Sequence, residues 1–179
     1  MIERGIYFGK QEFYNLIRSV GGVWNDGKER PIVTLIKSTE HESLYWAIPM
    51  GDAKHRSQEK MDRIYSYVNR EQSDIGSCYY HIGKTTTKSI FFISDVVPIT
   101  DKYLDRTYLG FDKNQYVIKN PNLIAELERK LLRILSYENS NKNFFRQHIS
   151  DVKQTLLQEL EIAKLPAEAA VSDNVLMDN

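Results

Sequence analysis

The chain is poor in cysteine: Cys78 stands alone among 179 residues. One thiol makes no internal disulfide and builds no structural zinc site by itself, and a chain of this kind belongs to a reducing compartment. Long apolar runs are also missing. Nothing approaches the roughly 18–20 residues of a membrane span, and the opening Met1–Gly5 lacks the apolar core of a signal peptide. The expectation is a soluble, cytoplasmic protein with no membrane partner. With 9 glycines and 5 prolines the composition is neither collagen-like nor low in complexity. No charge of one sign dominates either, with 24 Lys and Arg against 24 Asp and Glu. A uniformly basic protein that holds nucleic acid by overall charge is thereby excluded.

What is present is ordinary for a globular domain: 41% hydrophobic and 27% charged residues, at a length that suits one domain. Charge is uneven along the chain. From Glu159 onward there are five acids and one base, which leaves 23 bases against 19 acids in the body. We expect a single α+β domain over 1–165 and an acidic C-terminal tail over 166–179. A nucleic-acid site, if there is one, is a local groove; a surplus of four charges is equally compatible with plain surface scatter.

The front of the chain reads as strands and the back as helices. Gly5–Gly9 reads as a strand or loop, and Phe13, Leu16, Ile17 and Val20 have helical spacing. Asn25-Asp26-Gly27 is a turn signal. Pro31–Lys37 is a β-branched strand, and Leu44–Ile48 returns beside it, with Pro49 expected to stop it because it has no N–H for the ladder. Met61, Ile64, Tyr65 and Val68 mark one face of a short helix or ordered loop. Cys78–Ile82 and Ser89–Ile93 read as strands joined by Gly83–Lys88, with Val96–Ile99 extending the second. Asn120-Pro121 opens a helix carrying Leu123, Leu127, Leu131 and Ile134 on one face. A last helix is expected from about Lys142 to Leu165, ended by Pro166. Strands in hairpin pairs predict a mostly antiparallel, strongly twisted sheet or partial barrel with flanking helices, not a doubly wound fold.

Familiar catalytic signatures fail. Gly83-Lys84-Thr85 lacks the earlier glycine of a phosphate-binding loop, because Cys78 holds that position and bulky Tyr79-Tyr80-His81-Ile82 follows it. Cys78, His81 and His55 do not make a metal site: in a strand, residues three apart face opposite ways. No Gly-x-Ser-x-Gly turn is present. What survives is the segment after Pro49. Gly51 allows a close backbone approach, and Lys54, His55, Arg56, Lys60 and Arg63 put four fixed positive charges and one titratable group within ten residues. Such a loop can neutralise a phosphodiester and move protons. The plain alternative is a solvated basic loop tempered by Asp52, Glu59 and Asp62. Lys37 and the Lys84–Lys88 turn add cations, although a hairpin sets Lys37 beside the start of the second strand and not beside the loop.

Four features in order resemble the endoribonuclease toxins of type III toxin–antitoxin systems, the ToxN/AbiQ/CptN/TenpN group, and the CptN/TenpN branch most. They are the strand Pro31–Lys37, the strand and loop Tyr45–Lys54, the apolar run Ile90–Ile99, and the helical end from Pro121. The resemblance implies a bent antiparallel sheet similar to the Kid/MazF fold. It implies RNA cleavage without metal or other cofactor, the ribose 2′-hydroxyl attacking the adjacent phosphorus to leave a 2′,3′-cyclic phosphate and a 5′-hydroxyl. It also implies cellular and phage RNA substrates and a repetitive small RNA antitoxin, folded as a pseudoknot, which the toxin processes and joins in a closed RNA–protein hetero-oligomer. It sets Lys54 and Lys37 at catalytic positions, and no hydroxyl residue matches the family pattern just before Lys54. On chemical grounds His55 or Ser57 supplies the missing group and Asp52 orients His55. Arg56, Lys60, Arg63, His81, Lys84, Thr85 and Lys88 are the candidate RNA contacts. The competing class is a non-enzymatic nucleic-acid or protein-binding module using Tyr7, Trp24, Tyr79 and Tyr80.

Overall fold

The chain runs β1 (Ile6–Gly9), α1 (Gln11–Ser19), β2 (Ile32–Lys37), β3 (Tyr45–Asp52), α2 (Gln58–Val68), β4 (Tyr80–Lys84), β5 (Lys88–Phe92), β6 (Val97–Ile99), β7 (Leu104–Thr107), α3 (Pro121–Ser140) and α4 (Ile149–Ile162). Short 3-10 turns lie at Ile75–Cys78, Ile93–Asp95 and Asp101–Tyr103. The computed structural model describes residues 1–25 and 29–164, so the acidic tail expected over 166–179 lies outside the described residues. The strands pair antiparallel in the order β4-β5-β3-β2-β1-β7, with β6 also on β3. Among the described residues, no helix is long and apolar enough to cross a membrane.

Side-chain alternation sorts the sheet into two faces. On one face Val33 and Leu35 of β2, with Ile48, Met50 and Phe91, pack on Leu123, Leu127, Leu131 and Ile134 of α3. On the other, Ile32, Tyr45, Ala47, Val97 and Ile99 pack on Phe13 and Ile17 of α1 and Val152 and Leu156 of α4. Each fully buried leucine or isoleucine contributes about 1.5–3 kcal/mol. A third, smaller cluster joins Ile90 and Phe92 of β5 to Ala53 and Ile64, and so docks α2 over one end of the sheet. Asn120 caps α3 as expected, its Oδ1 accepting from the N–H groups of Asn122 (3.0 Å) and Leu123 (3.2 Å).

Several sequence expectations are corrected. Pro49 does not end its strand: β3 continues to Asp52, with Pro49 opposite Ile32. The Met50 N–H donates to the Pro31 carbonyl, so the neighbouring residue's N–H position faces the other edge of β3. On that edge β6 pairs with Tyr45–Ala47 and β5 with Met50–Asp52, and Pro49 falls between the two partners where no donor is needed. Val97–Ile99 is therefore a separate strand, set apart from β5 by the Ile93–Asp95 turn. Cys78 lies in a 3-10 turn and not in β4. The last helix starts at Ile149, because Asn143 and His148 take left-handed backbone (φ 58° and 53°). The intervening loop is packed nonetheless: Phe145 is buried, and Gln147 Nε2 donates to the Ser94 and Val96 carbonyls at 2.9 and 2.7 Å.

Candidate functional site

The loop after β3 is shaped by its own polar groups. Asp52 Oδ1 accepts from the Lys54 N–H at 2.7 Å, a side-chain turn that folds the chain back on itself. The Ala53 N–H donates to the Lys88 carbonyl at 2.9 Å and pins the loop to β5. The β4–β5 turn makes the facing wall. Thr85 and Ser89 share a buried hydroxyl–hydroxyl bond of 2.8 Å, and the Thr87 hydroxyl donates to Asp52 Oδ2 at 3.4 Å. A third wall comes from the residues entering β2. Continuing the β2–β3 register one step past the bond between Met50 and Pro31 sets Arg30 across from Gly51.

These walls enclose an open cleft of about 740 Å³ that brings together Arg30, Asp52, His55, Arg56, Lys60 and Thr85. Its centre is a pair of guanidinium groups on one aromatic ring. Arg30 lies 5.2 Å and Arg56 4.9 Å from the centroid of Phe92. Arg56 Nε is buried with no hydrogen-bond partner, and among the described residues neither arginine has a carboxylate partner. Burial first, and the nearby Arg30 charge second, pull the Arg56 pKa below its ordinary value, while Tyr80 opposes them. Three other arginines are neutralised: Arg106 by Glu29, Arg129 by Glu126, Arg146 by Asp95. Two carboxylates also line the cleft, Asp52 and the Arg106-bound Glu29, against Arg30, Arg56 and Lys60; the surplus is positive and partly desolvated, and a phosphate is the kind of group that relieves it.

The structure brings five expected residues, Asp52, His55, Arg56, Lys60 and Thr85, into this cleft. Arg63 lines a second cleft of about 440 Å³ that shares Arg56 and Lys60 with the first. Lys54 and Lys88 line a third recess on the other side of Asp52, where Lys88 Nζ donates to the Tyr65 hydroxyl at 3.2 Å. Ser57 is exposed at the cap position of α2, with its hydroxyl making no capping bond. Asp52 spends its oxygens on Lys54 and Thr87 and does not orient His55. Lys37 is not brought here: it pairs with Tyr45 at the opposite end of β3, seven residues from Asp52, or roughly 23 Å at the rise of a strand. His81 is directed at α3, like Gly83 two residues on, where an added Cβ would meet Leu123. Burial there, then the charge of Lys130, lowers the His81 pKa. Lys84 is exposed at the hairpin end, opposite Lys88, and lines none of these three clefts.

Three contributors escape sequence reasoning: Arg30, Phe92 and Tyr108. Arg30 was recoverable from the hairpin register, since the residue before Pro31 must fall beside Gly51. Phe92 and Tyr108 carry no such signal, for both read as core aromatics.

Fold and cleft together define an α+β protein with an open basic site where a twisted antiparallel sheet meets a short helix. A solved structure of AbiQ, a lactococcal anti-phage endoribonuclease belonging to the type III toxin–antitoxin system, shares this fold, with a TM-score of 0.57 over 90% of this chain and 98% of that one and 12% sequence identity. No protein-family model and no curated protein matches the chain.

Proposed function

We propose that the protein is an endoribonuclease toxin of a type III toxin–antitoxin system, of the CptN/TenpN kind. The observation that carries this reading is the Arg30–Phe92–Arg56 pair, without a carboxylate partner among the described residues and opening on a cleft that also holds His55 and Lys60. The fold shared with AbiQ supports it. In the reaction the two guanidinium groups hold the scissile phosphate and the charge that grows on it. His55 takes the proton of the ribose 2′-hydroxyl, whose oxygen attacks phosphorus. The bond to the 5′-oxygen breaks, and that oxygen takes a proton from the Lys60 ammonium, which lines the same cleft. The products are a 2′,3′-cyclic phosphate and a 5′-hydroxyl, with no metal in the step. A repetitive small RNA that folds as a pseudoknot is the inhibitor, processed by the same cleft and held in a closed hetero-oligomer in the cytoplasm.

The test is incubation of the purified protein with RNA in excess EDTA, followed by analysis of the product ends. Cleavage with cyclic phosphate termini is expected. RNA bound but left intact would establish instead the competing class, a non-enzymatic binding module. Cleavage abolished by EDTA would overturn the chemistry.

A further inference from the structure

Beyond Arg56 the basic cleft leads into the second one, of about 440 Å³, whose walls stay charged but add aromatic rings, its one carboxylate, Asp95, being paired with Arg146. Rings follow one another from the arginine pair outward. Phe92 meets Tyr80 at 5.9 Å, Tyr80 meets Tyr67 at 5.6 Å, Tyr67 stacks on Tyr79 at 5.4 Å, and Tyr79 meets Phe145 at 6.0 Å. Phe144 ends the run, 5.2 Å from Phe145, with 51% of its surface exposed. It also meets the ring of Tyr137 at 4.9 Å, the two planes 73° apart. A large aromatic residue held between two rings, with half its surface in solvent at the mouth of a groove, offers apolar area that the fold does not use. Beside it stand Arg63, which has no carboxylate partner among the described residues, and Lys60. Flat faces interleaved with cations suit a ligand that is itself flat groups strung on a polyanion.

We propose that this second cleft is a base-stacking subsite for the unpaired nucleotides on one flank of the phosphate held by Arg30 and Arg56, with Phe144 as its outer platform and Arg63 as a backbone contact. The inference rests on the reading that the first cleft takes RNA. Its ligand is single-stranded, because bases within a duplex do not present their faces to side chains. Stacking acts equally before and during cleavage, so the subsite governs affinity and KM and leaves kcat unchanged.

The experiment measures equilibrium binding of a fluorescent, fully 2′-O-methylated oligoribonucleotide, which cannot be cut, to the full chain across a salt series. Phe144→Ala weakens binding about tenfold with no change in the salt slope, since no ionic contact is lost. Phe144→Leu, which keeps apolar bulk without a flat ring, shows the same loss, and Phe144→Tyr stays within about twofold of wild type. Arg63→Ala lowers the salt slope by about 0.7, one contact on a single strand. Equal affinity for Phe144→Ala, Phe144→Leu and wild type, with binding lost on Arg56→Met, overturns this subsite alone. That outcome would reassign the aromatic patch to a protein partner. No binding by wild type overturns both this inference and the RNA reading on which it rests.

Discussion

Arg56→Met is the perturbation that separates a functional arginine from a structural one. In the folded protein the Arg56 Nε–H is buried and unpartnered, a condition that costs about 1–3 kcal/mol. Stacking on Phe92 at 4.9 Å returns about 0.5–2 kcal/mol. A second like charge, Arg30, sits over the same ring. Methionine keeps an apolar stem on Phe92, and its thioether contact with the ring contributes about 0.3–1.5 kcal/mol. At their midpoints these terms favour methionine by about 1.5 kcal/mol, so the variant should melt at or a few degrees above wild type, at about 2–4 °C for each kcal/mol. Activity should behave quite differently. Losing a donor aimed at the developing charge on phosphorus costs about 10²–10³-fold in rate. The assays are denaturant unfolding and initial rates on a short oligoribonucleotide in EDTA. A variant that melts many degrees lower yet cleaves within threefold of wild type would show that Arg56 serves the fold, and the phosphate-site argument would fail with it.

Other outcomes follow from the same geometry. His55→Ala should slow single-turnover cleavage by about 10²–10⁴-fold while RNA binding stays near wild type; a loss below tenfold, with a larger one for Lys54→Ala, would move proton transfer to the loop lysine. His81 is held below its ordinary pKa of 6.5 by burial and by Lys130. Between that depressed value and 6.5 the unfolded chain binds the proton and the folded chain does not, so stability rises with pH through the interval and is lost on acidification below 6.5. The difference in unfolding free energy between wild type and His81→Gln should therefore shrink as pH falls from 7.5 to 5, and a pH-independent difference would refute the assignment. Glu138, 2% exposed, accepts at Oε1 from the Asn143 N–H (2.7 Å), the Ser150 N–H (3.2 Å) and the Ser150 hydroxyl (2.6 Å). Glu138→Ala leaves these donors unpaired and should cost about 3 kcal/mol in urea unfolding, with less than about 1 kcal/mol counting against a role in joining α3 to α4.

The elements that were legible in the sequence are those whose signal is local and strong. β2 announces itself through five consecutive β-branched or aliphatic residues, and α3 through its Asn120 cap, Pro121 and a leucine stripe. The misreadings arise where tertiary context overrides a local rule. Proline is a strand breaker only when the missing N–H faces a partner, and at Pro49 it faces the gap between β5 and β6. The start of α4 is hidden in the sequence because Phe145 keeps helical spacing with Ile149 but is buried from a loop with left-handed residues at each end. β7, the stretch Leu104–Thr107, leaves no trace in the sequence, since a polar edge strand with three exposed residues carries no alternation to detect.

For the site, the sequence exposes charge but not its compensation. Along the chain Arg56 and Arg106 are equivalent, each a cation near acids. In space Arg106 is clamped by both oxygens of Glu29, a residue 77 positions away, whereas Arg56 meets another arginine. That difference decides which arginine is available to a ligand, and it depends wholly on long-range pairing. The same logic sorts the lysines. The resemblance and the charge count rank Lys37 with Lys54, but the antiparallel register carries one to each end of the β2–β3 ribbon. It also raises Arg30, which belongs to no motif, to the centre of the cleft. A catalytic surface on a hairpin is thus written less in the residues of its loop than in the register that chooses which distant residue stands opposite them.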